Sequence, residues 1–170
     1  MTNLLQRLSI EQLIQLRLLA FENAESLHKE ARLLFEHGFF ARAYFLAHCA
    51  IEELGKLQIV IGIITALESK RPIDWDTVRR SFCDHEQKIE ANDGYRYLFA
   101  LLSDTAPPNS KSTSSARKKQ RNAAAYVDAV EPGEVYTPMR ISRDEAQRMI
   151  DEASESLHVH SLSVHFPLGS

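Results

Sequence analysis

Residues able to move a proton or bind an anion concentrate in three short segments of the chain. The first, Ala50-Ile51-Glu52-Glu53-Leu54-Gly55-Lys56, sets two carboxylates and an ammonium among aliphatic residues. Glu52 and Lys56 stand four apart with the acid first, the favourable order on a helix. His48 lies one turn ahead of Glu52 on the same side, and Glu53, about 100° further round, needs a partner from another helix. Gly55 costs about 1 kcal/mol against alanine in a helix interior, so it points to close approach by a neighbour. An unpaired charge in apolar surroundings is expensive. These groups therefore form either a structural network that sets helix register or the wall of a water-filled cleft.

The second segment is Asp84-His85-Glu86-Gln87-Lys88, where His85 and Lys88 share a helical face. By itself it reads as a solvated face, and it gains interest if that face meets Glu53 and Lys56. The third runs from Arg117 through Lys118, Lys119, Arg121, Asn122 and Tyr126 to Asp128. Helical spacing lines up Arg117, Arg121, Ala125 and Asp128, with Asn122 and Tyr126 on an adjacent stripe. The alanines at 123–125 leave room for a neighbouring helix or a ligand. Between Lys111 and Arg121 there are basic residues and no acid. Such a run is commonly a solvated face, but it also attracts phosphate with a salt-sensitive component.

The elements that must carry these segments read as helices, because apolar residues recur at spacings of three and four. Ser9 opens the first, with capping-box spacing to Gln12, and it runs through Leu34 and Phe35 to a stop at Gly38. The second, Phe39 to about Ser69, is apolar around its circumference and so is expected at the centre of the molecule; Arg71-Pro72 ends it. Asp74 or Asp76 caps a third helix through Val78, Phe82, Cys83 and Ile89, with a break at Asn92-Asp93-Gly94 before Tyr95 to Leu102. Residues 104–115, with Pro107-Pro108 and many Ser/Thr, form a linker. A fourth helix covers about Ser115 to Val130, ended by Glu131-Pro132-Gly133. A fifth opens on the capping box of Ser142 and Glu145 and reaches about His158. No internal repeat is visible. The expectation is an all-α, mainly antiparallel bundle of about five helices, one domain over 1–160 with a tail at 161–170.

Composition is consistent with one globular unit. The 170 residues are 44% hydrophobic and 25% charged, with net charge −3. These values exclude wholesale disorder and a collagen-like repeat. Cys49 and Cys83 lack zinc-ligand spacing and are expected to be reduced core residues of a cytoplasmic protein. No secretory signal is apparent. The run Leu57 to Leu67 falls far short of the roughly 20 residues a membrane span requires. His158, His160 and His165 make a weak metal set at a helix end, where such clusters are usually exposed and incidental. No metal and no cofactor is expected.

Residues 41–56 (ending Ala-Ile-Glu-Glu-Leu-Gly-Lys), 84–88 (Asp-His-Glu-Gln-Lys) and 119–128 (Lys-Gln-Arg-Asn-Ala-Ala-Ala-Tyr-Val-Asp) resemble the signature segments of AbiV-type abortive-infection proteins. That family belongs to the HEPN superfamily of helical domains, and the resemblance spans roughly 15–160. It implies phage defence by action on RNA, either as a metal-independent ribonuclease or as an RNA-binding translation blocker. It also implies a homodimer whose Arg helices line a shared cleft, and it allows activation by a small phage protein. Many HEPN ribonucleases use an Arg, a following polar residue and a His about five positions on. Arg121 matches the Arg and Asn122 the polar residue, but Tyr126 stands where the His would be. A phenol with an ordinary pKa of about 10 is a poor base at neutral pH, so His85 is the alternative proton carrier. Arg121 and Lys88 would contact phosphate, helped by Lys118, with Glu52, Glu53, Lys56, Asn122 and Asp128 positioning them. The other reading is a non-catalytic helical interaction module whose buried charges are structural.

Overall fold

A computed structural model describes residues 4–103, 113–131 and 134–164. The fold is all-α, with helices α1 (Ile10–Glu36), α2 (Phe40–Glu68), α3 (Trp75–Cys83), α4 (His85–Leu102), α5 (Ser114–Ala125) and α6 (Arg143–Val164). A two-stranded antiparallel hairpin, β1 (Asp128–Glu131) and β2 (Glu134–Tyr136), joins α5 to α6. The expected linker at 104–115 lies largely outside the described residues, as does the tail from 165 on.

Local sequence explains most boundaries. Ser9 and Gln12 make the reciprocal capping box that opens α1, and Ser142 and Glu145 make another ahead of α6. Gly38, at φ +81°, carries the left-handed turn that ends α1. Its N–H donates to Phe35 O at 3.0 Å, and the chain reverses into α2. The resulting α1–α2 hairpin has an apolar seam at each end. Phe21, Ala24 and Ala31 meet Ala43, Tyr44 and Ile51 at one end, joined by α6 through Met149, Ile150 and Ala153. Leu13 meets Val60, Ile63 and Ile64 at the other, covered by Trp75, Val78 and Phe82 of α3. Helix α2 thus touches every other helix, as its all-round apolarity demands.

Three boundaries differ from expectation. The third helix breaks at Asp84 and not at Asn92–Gly94, which makes six α-helices among the described residues where about five were expected. Asp84 adopts extended backbone angles and its carboxylate accepts from the N–H groups of Glu86 and Gln87, so it ends α3 and caps α4 together. Past it, Asn92 and Gly94 continue as helix. The fourth helix stops at Ala125, short of the expected Val130. Tyr126 is extended, and the Ala125 carbonyl accepts from Arg42 Nη1 at 3.0 Å. The last helix extends to Val164, beyond the expected end near His158. Cys83 is exposed at the end of α3 and Cys49 is half-buried, so the expectation of two core thiols fails for Cys83.

Helices α2 and α4 cross at Gly55. A Cβ built there would lie 1.9 Å from the Lys88 carbonyl oxygen, whereas one at Gly62 on the same helix meets nothing within 4 Å. Gly55→Ala must therefore force the helices apart, a cost of about 3 kcal/mol by analogy with overpacked cores. Gly62→Ala should be neutral or stabilise by up to about 1 kcal/mol. Urea unfolding of both variants checks the opposite signs.

A polar cluster centred on the fully buried Asn92, Ser156 and His160 locks α4 to α6. His160 Nε2 pairs with Asn92 Oδ1 at 3.1 Å, Asn92 Nδ2 donates to Ser156 Oγ at 3.3 Å, and Gln58 Nε2 stands 3.3 Å from His160 Nδ1. His160 is therefore no exposed tail residue, although His158 is exposed as expected. Burial, aided by the charges of Arg96 and Arg17, pushes the imidazole down to about 3. Below about pH 6.5 the unfolded chain takes up a proton that the folded chain refuses, so stability falls with pH. That single group should cost about 2 kcal/mol by pH 5, and burial of His48 acts in the same direction. Unfolding curves at pH 7.5 and pH 5 should show a smaller difference for His160→Gln than for the parent chain.

Candidate functional site

The organising group is Glu52, a carboxylate 4% exposed in the middle of α2. Its Oε2 accepts from His85 Nδ1 at 2.6 Å and lies 3.2 Å from Lys88 Nζ, both on α4. Its Oε1 lies 3.3 Å from His48 Nδ1 on α2 and 3.1 Å from Arg121 Nε on α5. Neither Oε1 contact is aligned as a hydrogen bond, so it is the charge of Arg121 rather than direction that holds that oxygen. Three helices therefore meet on one carboxyl group.

Burial by itself would raise the pKa of Glu52. The His48 and His85 imidazoles and the Lys88 ammonium outweigh it and hold the carboxyl at about 2. Measured from its ordinary 4.5, that is about 3 kcal/mol of stability at neutral pH, lost as pH falls from 4.5 toward 2. An ionised carboxylate only accepts hydrogen bonds, so the proton of the His85 ring must sit on Nδ1. His48, fully buried, has its pKa lowered by burial against the pull of Glu52 and stays neutral at pH 7. Lys88 and Arg121 against Glu52 leave a surplus of positive charge.

Arg121 is 13% exposed at the side chain. Its guanidinium lies 4.8 Å from the Phe45 ring centroid and its Nη1 donates to Asn122 Oδ1 at 3.1 Å. The alanines at 123–125 do permit close packing, since Ala123 and Ala124 are buried beside α2. The mouth of the site is His85, whose side chain is 37% exposed.

The two adjacent acids exchange their expected roles. Glu53, expected to need a distant partner, pairs with Lys56 Nζ at 2.5 Å one turn away, and that ammonium sits 5.6 Å from the Phe82 centroid. Lys56 is thereby drawn off Glu52, which takes the inter-helix partners. The face carrying His85 and Lys88 is only partly solvated: Lys88 is buried, and both residues meet Glu52 instead of Glu53 and Lys56. Tyr126 is 60% exposed and lies past the end of α5. Asp128 begins β1, so the helical line from Arg121 to Asp128 does not exist.

The basic run is also less free than its sequence suggests. Arg117 is buried and bridges Asp93 at 2.8 Å and Glu152 at 2.8 Å. Lys118 pairs with Glu86 at 3.2 Å, while Lys111 lies outside the described residues. Arg96 continues this second network to Glu152 and Glu155. Sequence reading missed Asp93, Arg96, Glu152 and Glu155; only the one-turn spacing of Arg117 and Arg121 hinted that both point inward. Among the described residues no cluster of His, Cys, Asp or Glu is arranged to hold a metal. No helix of the described residues is long and apolar enough to cross a membrane.

The all-α bundle is of the HEPN-like type, and Arg121 and Asn122 stand on its fifth helix. The AbiV family model, HEPN_AbiV, matches residues 12–158, and the chain belongs to that family. No curated protein and no solved structure matches it.

The exchanged roles of the two acids set a direct contrast. Glu52→Gln leaves Lys88 and Arg121 facing a neutral amide and should cost about 3 kcal/mol. Glu53→Gln breaks only a partly exposed pair and should cost under about 1 kcal/mol. Chemical denaturation at pH 7 measures both, and equal losses would remove Glu52 from its central place.

Proposed function

We propose that this AbiV-family protein acts on RNA in abortive infection, binding the phosphate backbone at the cleft formed by His85, Lys88 and Arg121. The observation that carries this reading is the charge balance at Glu52, where two cations share one carboxylate and the partly open His85 adjoins them. Surplus positive charge in a poorly solvated recess attracts phosphate more strongly than the same charge in water. Arg121 and Lys88 stabilise charge building on a pentacoordinate phosphorus. The 2′ oxygen forms a bond to phosphorus as the bond to the 5′ oxygen breaks, leaving a 2′,3′-cyclic phosphate and a 5′-hydroxyl. This route needs no metal, and translation falls as RNA is cut. Two copies paired through their Arg helices would enlarge the cleft. The protein works in the cytoplasm, where RNA and a small phage activator would reach it.

A second reading is favoured by the depth of Glu52 and the pairing of Arg121, which suit a purely structural network serving a protein-binding bundle. The two readings diverge in one assay. Purified protein incubated with total RNA and EDTA should yield fragments ending in cyclic phosphate. Arg121→Ala should lower the yield at least 100-fold while remaining folded by circular dichroism. An Arg121→Ala protein that melts far lower and a parent chain that cuts or binds no RNA would together favour the structural reading.

A further inference from the structure

We propose that His85 is the acid–base residue of the cleft, acting through Nε2, and that Glu52 is its positioning residue. The assignment takes its substrate from the RNA reading above and its roles from the geometry. Glu52 accepts the Nδ1 hydrogen of His85 at 2.6 Å, which fixes both the tautomer and the ring plane. With the hydrogen on Nδ1, the lone pair of the neutral ring is on Nε2, which has no hydrogen-bond partner among the described residues. The same logic orients a catalytic imidazole against a buried carboxylate in hydrolases of unrelated fold.

The alternatives within the chain are poorly suited. His48 touches the other carboxylate oxygen but is fully buried and reaches no substrate. Tyr126 projects beyond α5, past the helical line that carries Arg121. His85 combines exposure with a fixed tautomer. It also shares one carboxylate with the two phosphate-binding cations, so a phosphate held by Lys88 and Arg121 lies next to the ring.

Glu52 is itself held from several directions, and this is what makes it a positioning residue. Lys88 pins Oε2, Arg121 and His48 pin Oε1, and Gly55 lets the α4 backbone approach closely enough for His85 and Lys88 to reach. In the reaction, Nε2 takes the 2′-hydroxyl proton while the 2′ oxygen attacks phosphorus. The 5′ oxygen leaves with a proton from solvent, and the ring then returns its own proton to water. The ring contacts Glu52, which also meets His48 on α2, Lys88 on α4 and Arg121 on α5, and the neighbouring Glu86 pairs with Lys118 of α5.

The test combines RNA cleavage with long-range ¹H–¹⁵N NMR of the full-length protein, the His85 signals being those missing from His85→Ala. The parent ring should show the Nδ1-protonated pattern when neutral. His85→Ala should lose on the order of 10²- to 10⁴-fold in cleavage rate and regain part of it with added imidazole. Glu52→Gln, studied below its melting temperature, should shift the ring to mixed tautomers and move the pH dependence of cleavage. A parent ring protonated at Nε2 overturns the positioning role whether or not RNA is cut. His85→Ala cleaving at the parent rate overturns the acid–base role with the RNA reading intact. A parent protein that binds RNA without cutting it overturns the acid–base role alone, and one that neither cuts nor binds RNA overturns the RNA reading with it, so the failures are distinguishable.

Discussion

One buried carboxylate organises this molecule. Glu52 sits where α4 and α5 pack onto α2, and each of those helices brings a cation to it. A lone carboxylate there would carry a large desolvation penalty. Its partners reverse the sign of the effect, holding the group ionised at about 2 when burial alone would raise it. The dependence is mutual, because Lys88 and Arg121 are themselves largely covered. Helix α5 is the clearest case: its buried residues are Arg117, Ala123 and Ala124, too little apolar surface to seat a helix by burial alone. It is held largely by charge, through Arg121 on Glu52 and through Arg117 on Asp93 and Glu152.

The same contacts connect stability with chemistry. A carboxylate that orders a histidine tautomer and gathers cations is suited to phosphate chemistry, and its neighbours do not add further negative charge. Glu53, the adjacent acid, is neutralised by Lys56 one turn away. Gly55 sits at the one crossing where any side chain would push His85 and Lys88 off their acceptor. Packing and proton placement are thus controlled by the same few residues, and membership of the AbiV family extends over nearly all of the helices that carry them.

Much of this was legible in residue order. The capping boxes at Ser9 and Ser142, the turn at Gly38, the central place of α2 and the close approach at Gly55 all follow from side-chain chemistry within one or two turns. That Glu52 and Glu53 need partners was legible as well, because charges in apolar surroundings require them. Their pairing was not. Glu52 and Lys56 have the favourable four-residue spacing, yet Lys56 goes to Glu53, since α4 and α5 supply Glu52 with stronger partners. Asp84 was read as surface charge when it is a cap for two helices, and Arg117 was read as phosphate bait when it is a buried strut.

Residue order by itself determined the helices, the central one among them, and the family to which the chain belongs, because these depend on periodicity, caps and short motifs. Tertiary structure alone decided which acid is the hub, which histidine reaches it from another helix, where α5 ends and which arginines are buried. The physical reason is range. Helix propensity and capping act over three or four residues along the chain, while ion pairing among buried groups acts across helices tens of residues apart in sequence.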